Sequence, residues 1–174
     1  FSRASTIEKL SGGCAIGHVR YSTTGETILR NVQPLFAELS AGGFAVAHNG
    51  NLTNGLTLRR RIIAEGGIYQ STSDTEVLLQ LVARSRKGKL IDRLVEALRQ
   101  IEGAYAFVCL SNKKLIGARD PLGIRPLVLG ELDGRYILAS ETCALDIIGA
   151  KFVRDIENGE VIVFDEHGVQ SHKP

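Results

Sequence analysis

Tyr105-Ala106-Phe107-Val108-Cys109-Leu110 is the stretch at which the hydrophobic period of this chain changes. Upstream of it, apolar residues recur at helical spacing. Val77, Leu78, Leu81 and Val82 make one face, and Ile91, Leu94, Val95, Leu98 and Ile101 make a second that stops near Gly103. From residue 105 onward the apolar runs have strand length, at 105–110, 115–118, 127–132, 135–139 and 160–164. Asn112-Lys113-Lys114, Asp133-Gly134 and Asn158-Gly159 supply turn signals around them. Thr142 to Ile148 reads as one short capped helix within this second half.

Working back from residue 105, the basic linker Arg84–Lys89 is short enough to join two antiparallel helices. Ser73 followed by Glu76 is a Ser-x-x-Glu capping box at the start of the first of them. The stretch 54–64, with Leu56, Leu58, Ile62 and Ile63, reads as a further helix, capped by Asn51 or Thr53 and ended by Gly66-Gly67. Two short apolar runs bounded by glycine, 14–19 and 43–48, suit buried strands. Strands on either side of a helix group imply an antiparallel, layered α+β domain rather than a doubly wound one. No internal repeat, low-complexity tract or second-domain boundary interrupts residues 1–174.

Composition excludes several function classes. With 44% hydrophobic and 23% charged residues the chain has the make-up of an ordinary globular protein, long enough for a substantial core. A net charge of +2 is too small to argue for nucleic acid, and the basic triplet Arg59-Arg60-Arg61 falls in a helical pattern where a solvated face explains it. No apolar run approaches the roughly 20 residues that span a bilayer, and no signal segment opens the chain. Cys14, Cys109 and Cys143 are odd in number and far apart, which points away from a disulfide framework and toward a reducing cytoplasm. His18, His48, His167 and His172 are scattered, no CxxC occurs, and no metal site is expected. Met is absent even at position 1, consistent with a chain that does not begin at its gene's beginning.

Four polar constellations sit at the ends of the expected elements. In Gly17-His18-Val19-Arg20-Tyr21-Ser22-Thr23-Thr24-Gly25, Arg20 after a strand suits either a carboxylate held by its planar fork or a structural ion pair. His48-Asn49-Gly50-Asn51 is either an Asn-Gly turn or a pair of donors, the Asn49 amide and the Gly50 N–H, aimed at one oxyanion. In Thr72-Ser73-Asp74-Thr75-Glu76, the helix dipole is enough to explain Asp74, and binding of a substrate ammonium is the alternative. Arg119-Asp120-Pro121-Leu122-Gly123-Ile124-Arg125-Pro126 reads as a rigid structural connection braced by its charges.

A nucleophile is harder to find. Cys14 and His18 would stand about 13 Å apart on a strand, at roughly 3.3 Å per residue, beyond the reach of a nucleophile–base pair. Cys109 and Cys143 lie in apolar runs that suit inert core thiols. Neither a Gly-x-Ser-x-Gly elbow nor a P-loop is present. Residue chemistry by itself therefore gives an α+β domain with an anion and amide site, without naming a reaction.

Taken in order, these segments resemble the class II glutamine amidotransferases, and Gly17 to Thr23 is similar to the amidophosphoribosyltransferase branch of that class. Arg119–Pro126, Ala139–Asp146 and Arg154–Glu160 match the same branch, so the resemblance covers essentially the whole chain. It implies an N-terminal-nucleophile hydrolase fold, two stacked antiparallel sheets between helix layers, incomplete at the N-terminus. It implies glutamine as substrate, with Arg20 on the α-carboxylate and Thr23 close by, Asp74 on the α-ammonium, and Asn49 and Gly50 forming the oxyanion hole. The ammonia released would react with phosphoribosyl pyrophosphate (PRPP), held with Mg2+ in a phosphoribosyltransferase domain expected after residue 174.

The same resemblance implies a homo-oligomer, no cofactor in this domain, and an iron–sulfur cluster left open because its ligands would fall outside this chain. The class uses a Cys at the mature N-terminus, its own α-amino group acting as base, whereas residue 1 here is Phe. A further stretch is therefore expected before Phe1, and the chain as given is expected to be inactive and unstable alone. Two alternatives stand beside this reading. One is a non-catalytic amino-acid-binding or regulatory domain that has lost its nucleophile. The other is a sibling amidotransferase with a different acceptor.

Overall fold

A computed structural model describes residues 9–10, 12–19 and 28–173. Nine strands form two antiparallel sheets among these residues. The strands are β1 (Leu35–Leu39), β2 (Gly42–Leu52), β3 (Gly103–Ser111), β4 (Leu115–Arg119), β5 (Val128–Leu132), β6 (Arg135–Ala139), β7 (Lys151–Asp155), β8 (Val161–Asp165) and β9 (Gly168–His172). The larger sheet has the order β1-β2-β3-β4-β8-β9 and the smaller β6-β5-β7. The helices are α1 (Gly55–Ala64), α2 (Thr75–Arg84), α3 (Leu90–Leu98) and α4 (Thr142–Ile148), preceded by a 3-10 turn at Leu29–Asn31.

Period-2 alternation sorts the strand residues into separate cores. Tyr105, Phe107 and Cys109 of β3, with Val161 and Val163 of β8, pack against Leu78, Val82, Leu94 and their neighbours on α1–α3. The intervening Ala106, Val108 and Ile162 point the other way, onto Leu127, Leu129 and Ile156 at the smaller sheet. Val128 of β5 faces outward in turn, onto Leu145 of α4. The result is helices, sheet, sheet and helix in four layers, the αββα arrangement expected of an N-terminal-nucleophile hydrolase. Gly117 lies where the two sheets pack, and a Cβ there, 2.8 Å from Leu138 Cδ1, would make that leucine shift.

Several elements depart from the sequence reading. Residues 14–19 form no strand, and Cys14 and Val19 are exposed. An apolar run becomes a strand only where a neighbour completes its backbone hydrogen bonds, and no ladder among the described residues includes this one. The Ser73–Glu76 capping box is also rearranged. Asp74 is the N-cap residue of α2, and the Glu76 carboxylate reaches past Ser73 to accept from Gln70 N, Ser71 N and Ser71 Oγ at 2.6–2.8 Å. Asn54, rather than Asn51 or Thr53, stands at the start of α1, and its amide bridges to Gln100 O and Glu102 N. The expected glycine stop is present. Gly66 (φ +84°) and Gly67 donate back to Ile63 O and Ile62 O in a Schellman closure.

Candidate active site

The strand β2 does not turn at Asn49-Gly50, because it runs on as a paired strand to Leu52. The hairpin reading fails because position 50 is held opposite Tyr105 by the β3 ladder. Gly50 has φ +146°, and a Cβ there would stand 2.0 Å from Ala104 O and 2.9 Å from His48 Nε2. Only glycine fits so close an approach of two backbones. Alternation along β2 sends His48 toward the helices and Asn49 toward the space between the sheets. His48 is buried and stacks on Phe107 at 4.4 Å between ring centroids.

Asp74 arrives from the start of α2 and locks onto the end of the same strand. Its Oδ2 accepts from Leu52 N at 2.8 Å, and its Oδ1 lies 3.8 Å from His48 Nδ1. Burial pushes the Asp74 carboxyl up, but His48 and the N–H groups of Leu52 and Thr75 more than reverse this and hold it below the usual carboxylate range. Asp74 thus stays an anion at the rim of a cleft of about 870 Å³ that Asn49, Gly50 and Asp74 share.

Two residues that the sequence reading missed fasten this arrangement. Gln33 accepts from His48 N at 2.7 Å and donates to Thr75 Oγ1 at 3.2 Å, joining β2 to α2. Asn31, fully buried, accepts from Thr72 N and donates to Thr72 Oγ1. Each pairing spans about 15 to 42 positions of sequence, so no local signal marks it.

The segment read as purely structural, Arg119 to Pro126, does brace itself. The Arg119 guanidinium donates to the carbonyls of Gly123, Arg125 and Ile156. The buried Asp120 carboxylate accepts from the N–H groups of Tyr105, Leu122, Ile124 and Arg125. It also carries Arg125 into the cleft, where Nη2 donates to Asn49 Oδ1 at 2.7 Å. The structural reading was incomplete, because a rigid connection is also a means of aiming a side chain.

Of the five residues singled out, Asn49, Gly50 and Asp74 meet in this cleft, and Gly17, His18 and Val19 line it too. Arg20 and Thr23 lie outside the described residues. None of the three thiols lines it. Cys109 is fully buried, with burial pushing its thiol far up. Cys143 is exposed, against expectation, because the buried face of α4 is the one that carries Leu145. Among the described residues there is no group of three or more His, Cys, Asp or Glu that could hold a metal ion, and no helix long and apolar enough to cross a membrane.

Known proteins resemble this chain in both sequence and fold. Residues 18–146 match the family model of the glutamine amidotransferase domain. The amidophosphoribosyltransferase of Rhizobium etli is 65% identical over 94% of this chain, which spans 33% of that protein. The chloroplastic amidophosphoribosyltransferase of Glycine max is 48% identical over 96% of the chain and 30% of its own length. Among solved structures, the glutamine PRPP amidotransferase of Bacillus subtilis, complexed with ADP and GMP, superposes with a TM-score of 0.84 at 41% identity, over 90% of this chain and 34% of that one. The chain therefore spans about a third of the length of the relatives it matches.

Proposed function

The chain belongs to the glutamine amidotransferase domain family, and from that premise we propose that it is the glutamine-binding domain of an amidophosphoribosyltransferase. The observation that carries the reading is the convergence of Asn49 and Gly50, from β2, with the ionised Asp74 carboxylate, from the start of α2, on one cleft. Asp74 takes the α-ammonium of glutamine, and Arg20, with Thr23 close by, takes its α-carboxylate. A zwitterion held at both ends presents its side-chain amide to Asn49 Nδ2 and Gly50 N–H. These two donors stabilise the oxyanion that forms when a nucleophile attacks the amide carbon.

The nucleophile is a thiolate from outside the three cysteines seen here. It forms a thioester as ammonia leaves, and water then releases glutamate. Ammonia displaces pyrophosphate from PRPP, so that glutamine, PRPP and water give 5-phosphoribosylamine, glutamate and pyrophosphate. In this reading residues 1–174 are the glutaminase domain, and PRPP with its Mg2+ occupies a phosphoribosyltransferase domain elsewhere in the protein. No cofactor serves this domain, an iron–sulfur cluster elsewhere is left open, and the assembly is a cytoplasmic homo-oligomer. Glutamine consumption by the full-length gene product, with and without PRPP, tests the proposal. PRPP should stimulate it strongly with release of pyrophosphate, while the 174-residue chain alone should consume none. Glutamine untouched in both conditions would make the cleft a sensor rather than a glutaminase site.

A further inference from the structure

Arg125 is the one cation whose side chain is hydrogen-bonded to Asn49 among the contacts described, and its chemistry constrains which way the Asn49 amide faces. A guanidinium carries five N–H donors and no acceptor. A carboxamide carries its acceptor and its donors on opposite arms of nearly equal shape. Against Arg125 only the Oδ1 arm fits, because the reverse would set N–H against N–H. The bond from Nη2 to Oδ1 at 2.7 Å therefore fixes the amide in one of its two senses. The Nδ2 arm is then the one turned away from Arg125 and left free for a ligand in the cleft that both residues line.

Two features of the loop suit it to this task. The Arg125 backbone is held independently of its side chain, its N–H on Asp120 Oδ2 at 3.0 Å and its carbonyl accepting from Arg119 Nε at 2.9 Å. Asp120 also accepts from Tyr105 N, and Tyr105 pairs with Gly50, so loop and donors share one frame. Meanwhile Arg125 Nε is buried without a hydrogen-bond partner. A buried donor left unpaired calls for an explanation, and a side chain aimed at Asn49 supplies one.

We propose that Arg125 is a positioning residue that sets the Asn49 carboxamide with its donor arm toward the reacting carbonyl and, by drawing charge onto Oδ1, strengthens that donor. The proposal rests on the reading of Asn49 as an oxyanion donor. Glutaminase kinetics of the full-length gene product test both. N49A should lower kcat by about a hundredfold or more. R125M should lower kcat roughly tenfold to a hundredfold, with the glutamine KM within about threefold, because the amide then flips freely.

R125K, whose ammonium also only donates, should recover most of that loss. The double variant R125M/N49A should be no slower than N49A to within about threefold, since an orienting group has nothing left to orient. The backbone anchors of Arg125 should keep all four variants folded, which melting curves check, and R125K against R125M carries the test if one variant melts early. Losses that multiply in the double variant, an effect on KM instead of kcat, or no rescue by Lys would each overturn the positioning role while leaving Asn49 catalytic. Unchanged kcat in N49A would remove the oxyanion reading itself, and the role of Arg125 with it.

Discussion

Asp74 ties β2 to α2 and, in the proposed reading, also meets the glutamine ammonium, and a single atom exchange separates the two duties. Oδ2 accepts from Leu52 N at 2.8 Å, a hydrogen bond that an asparagine oxygen can also accept. The negative charge also faces His48 Nδ1, 3.8 Å from Oδ1, and its further use is to meet the cationic end of the proposed substrate. In D74N the fold should survive, with the melting temperature of the full-length protein within a few degrees of the parent. The glutamine KM should rise about tenfold to a hundredfold, the worth of one charge-assisted hydrogen bond. Steady-state kinetics beside a melting curve check this, and an unchanged KM would take Asp74 out of the substrate site. Asn49, Gly50 and Asp74 stand beside local signals, an Asn-Gly pair and a helix start, that single out their positions, while the roles proposed for them came from the family resemblance. No such signal marks the part played by Gln33 or Arg125. Arg125 reaches Asn49 across 76 positions, and only the closed fold brings them together.

At the level of elements, Glu160 at the start of β8 fastens the two sheets to each other. Its carboxylate, 1% exposed as a residue, accepts a fork from Arg154 of β7 at 2.7 and 2.8 Å, the Ser171 hydroxyl of β9 and the N–H of Glu157. Burial alone would raise this carboxyl, but Arg154, Glu157 N–H and Ser171 more than reverse it and hold it at about 2. A carboxyl depressed on folding stabilises the protein above its ordinary value of 4.5, and that contribution is lost as pH falls toward about 2. E160Q should therefore cost about 2–3 kcal/mol at pH 7, at the lower end for a buried pair because Arg154 keeps access to water. The gap between parent and variant in urea melts should narrow steadily below pH 4.5, and a gap independent of pH would show that the clamp is not ionic.

The strands that the sequence reading overlooked are edge strands or short. β9 is exposed along its whole length, β7 at all but Arg154, and β1 alternates only between half-buried and exposed. β7 and β9 borrow their order from a neighbour's ladder rather than from burial. In β1, Leu35, Ala37 and Leu39 pack on the main core, but the exposed Phe36 between them masks the alternation in the sequence. β3, β4, β5 and β8 are buried and were legible for the same physical reason.

Across the whole molecule the cores are unequal, and that inequality orders its unfolding. Among the described residues, the core between α1–α3 and the larger sheet joins Phe44, Ile62, Leu78, Leu94, Phe107 and Ile116 with many others in one cluster. The core between the sheets has Ala106, Leu127, Leu129, Ile156 and Ile162, and the one beneath α4 has Val128, Leu145 and Ala150. The outer layer also leaves Ile147, Ile148, Phe152 and Val153 exposed. Apolar burial is the main favourable term in folding and scales with area. The layer of β5, β6, β7 and α4 should therefore open while the helices and β2–β3 remain closed. Native-state hydrogen exchange on the full-length gene product should show amides of Val128–Leu132 and Lys151–Asp155 exchanging at least about tenfold faster than those of Phe44–His48 and Tyr105–Cys109. The proposed oxyanion donors lie on the slow side of that division, on β2, while Arg119–Pro126 leads from the larger sheet into the smaller. Opening of the outer layer would then release Arg125 from Asn49 before the strand that carries Asn49 is lost. Equal protection in both layers would mean that the two sheets fold as one unit and that Arg125 holds Asn49 for as long as β2 exists.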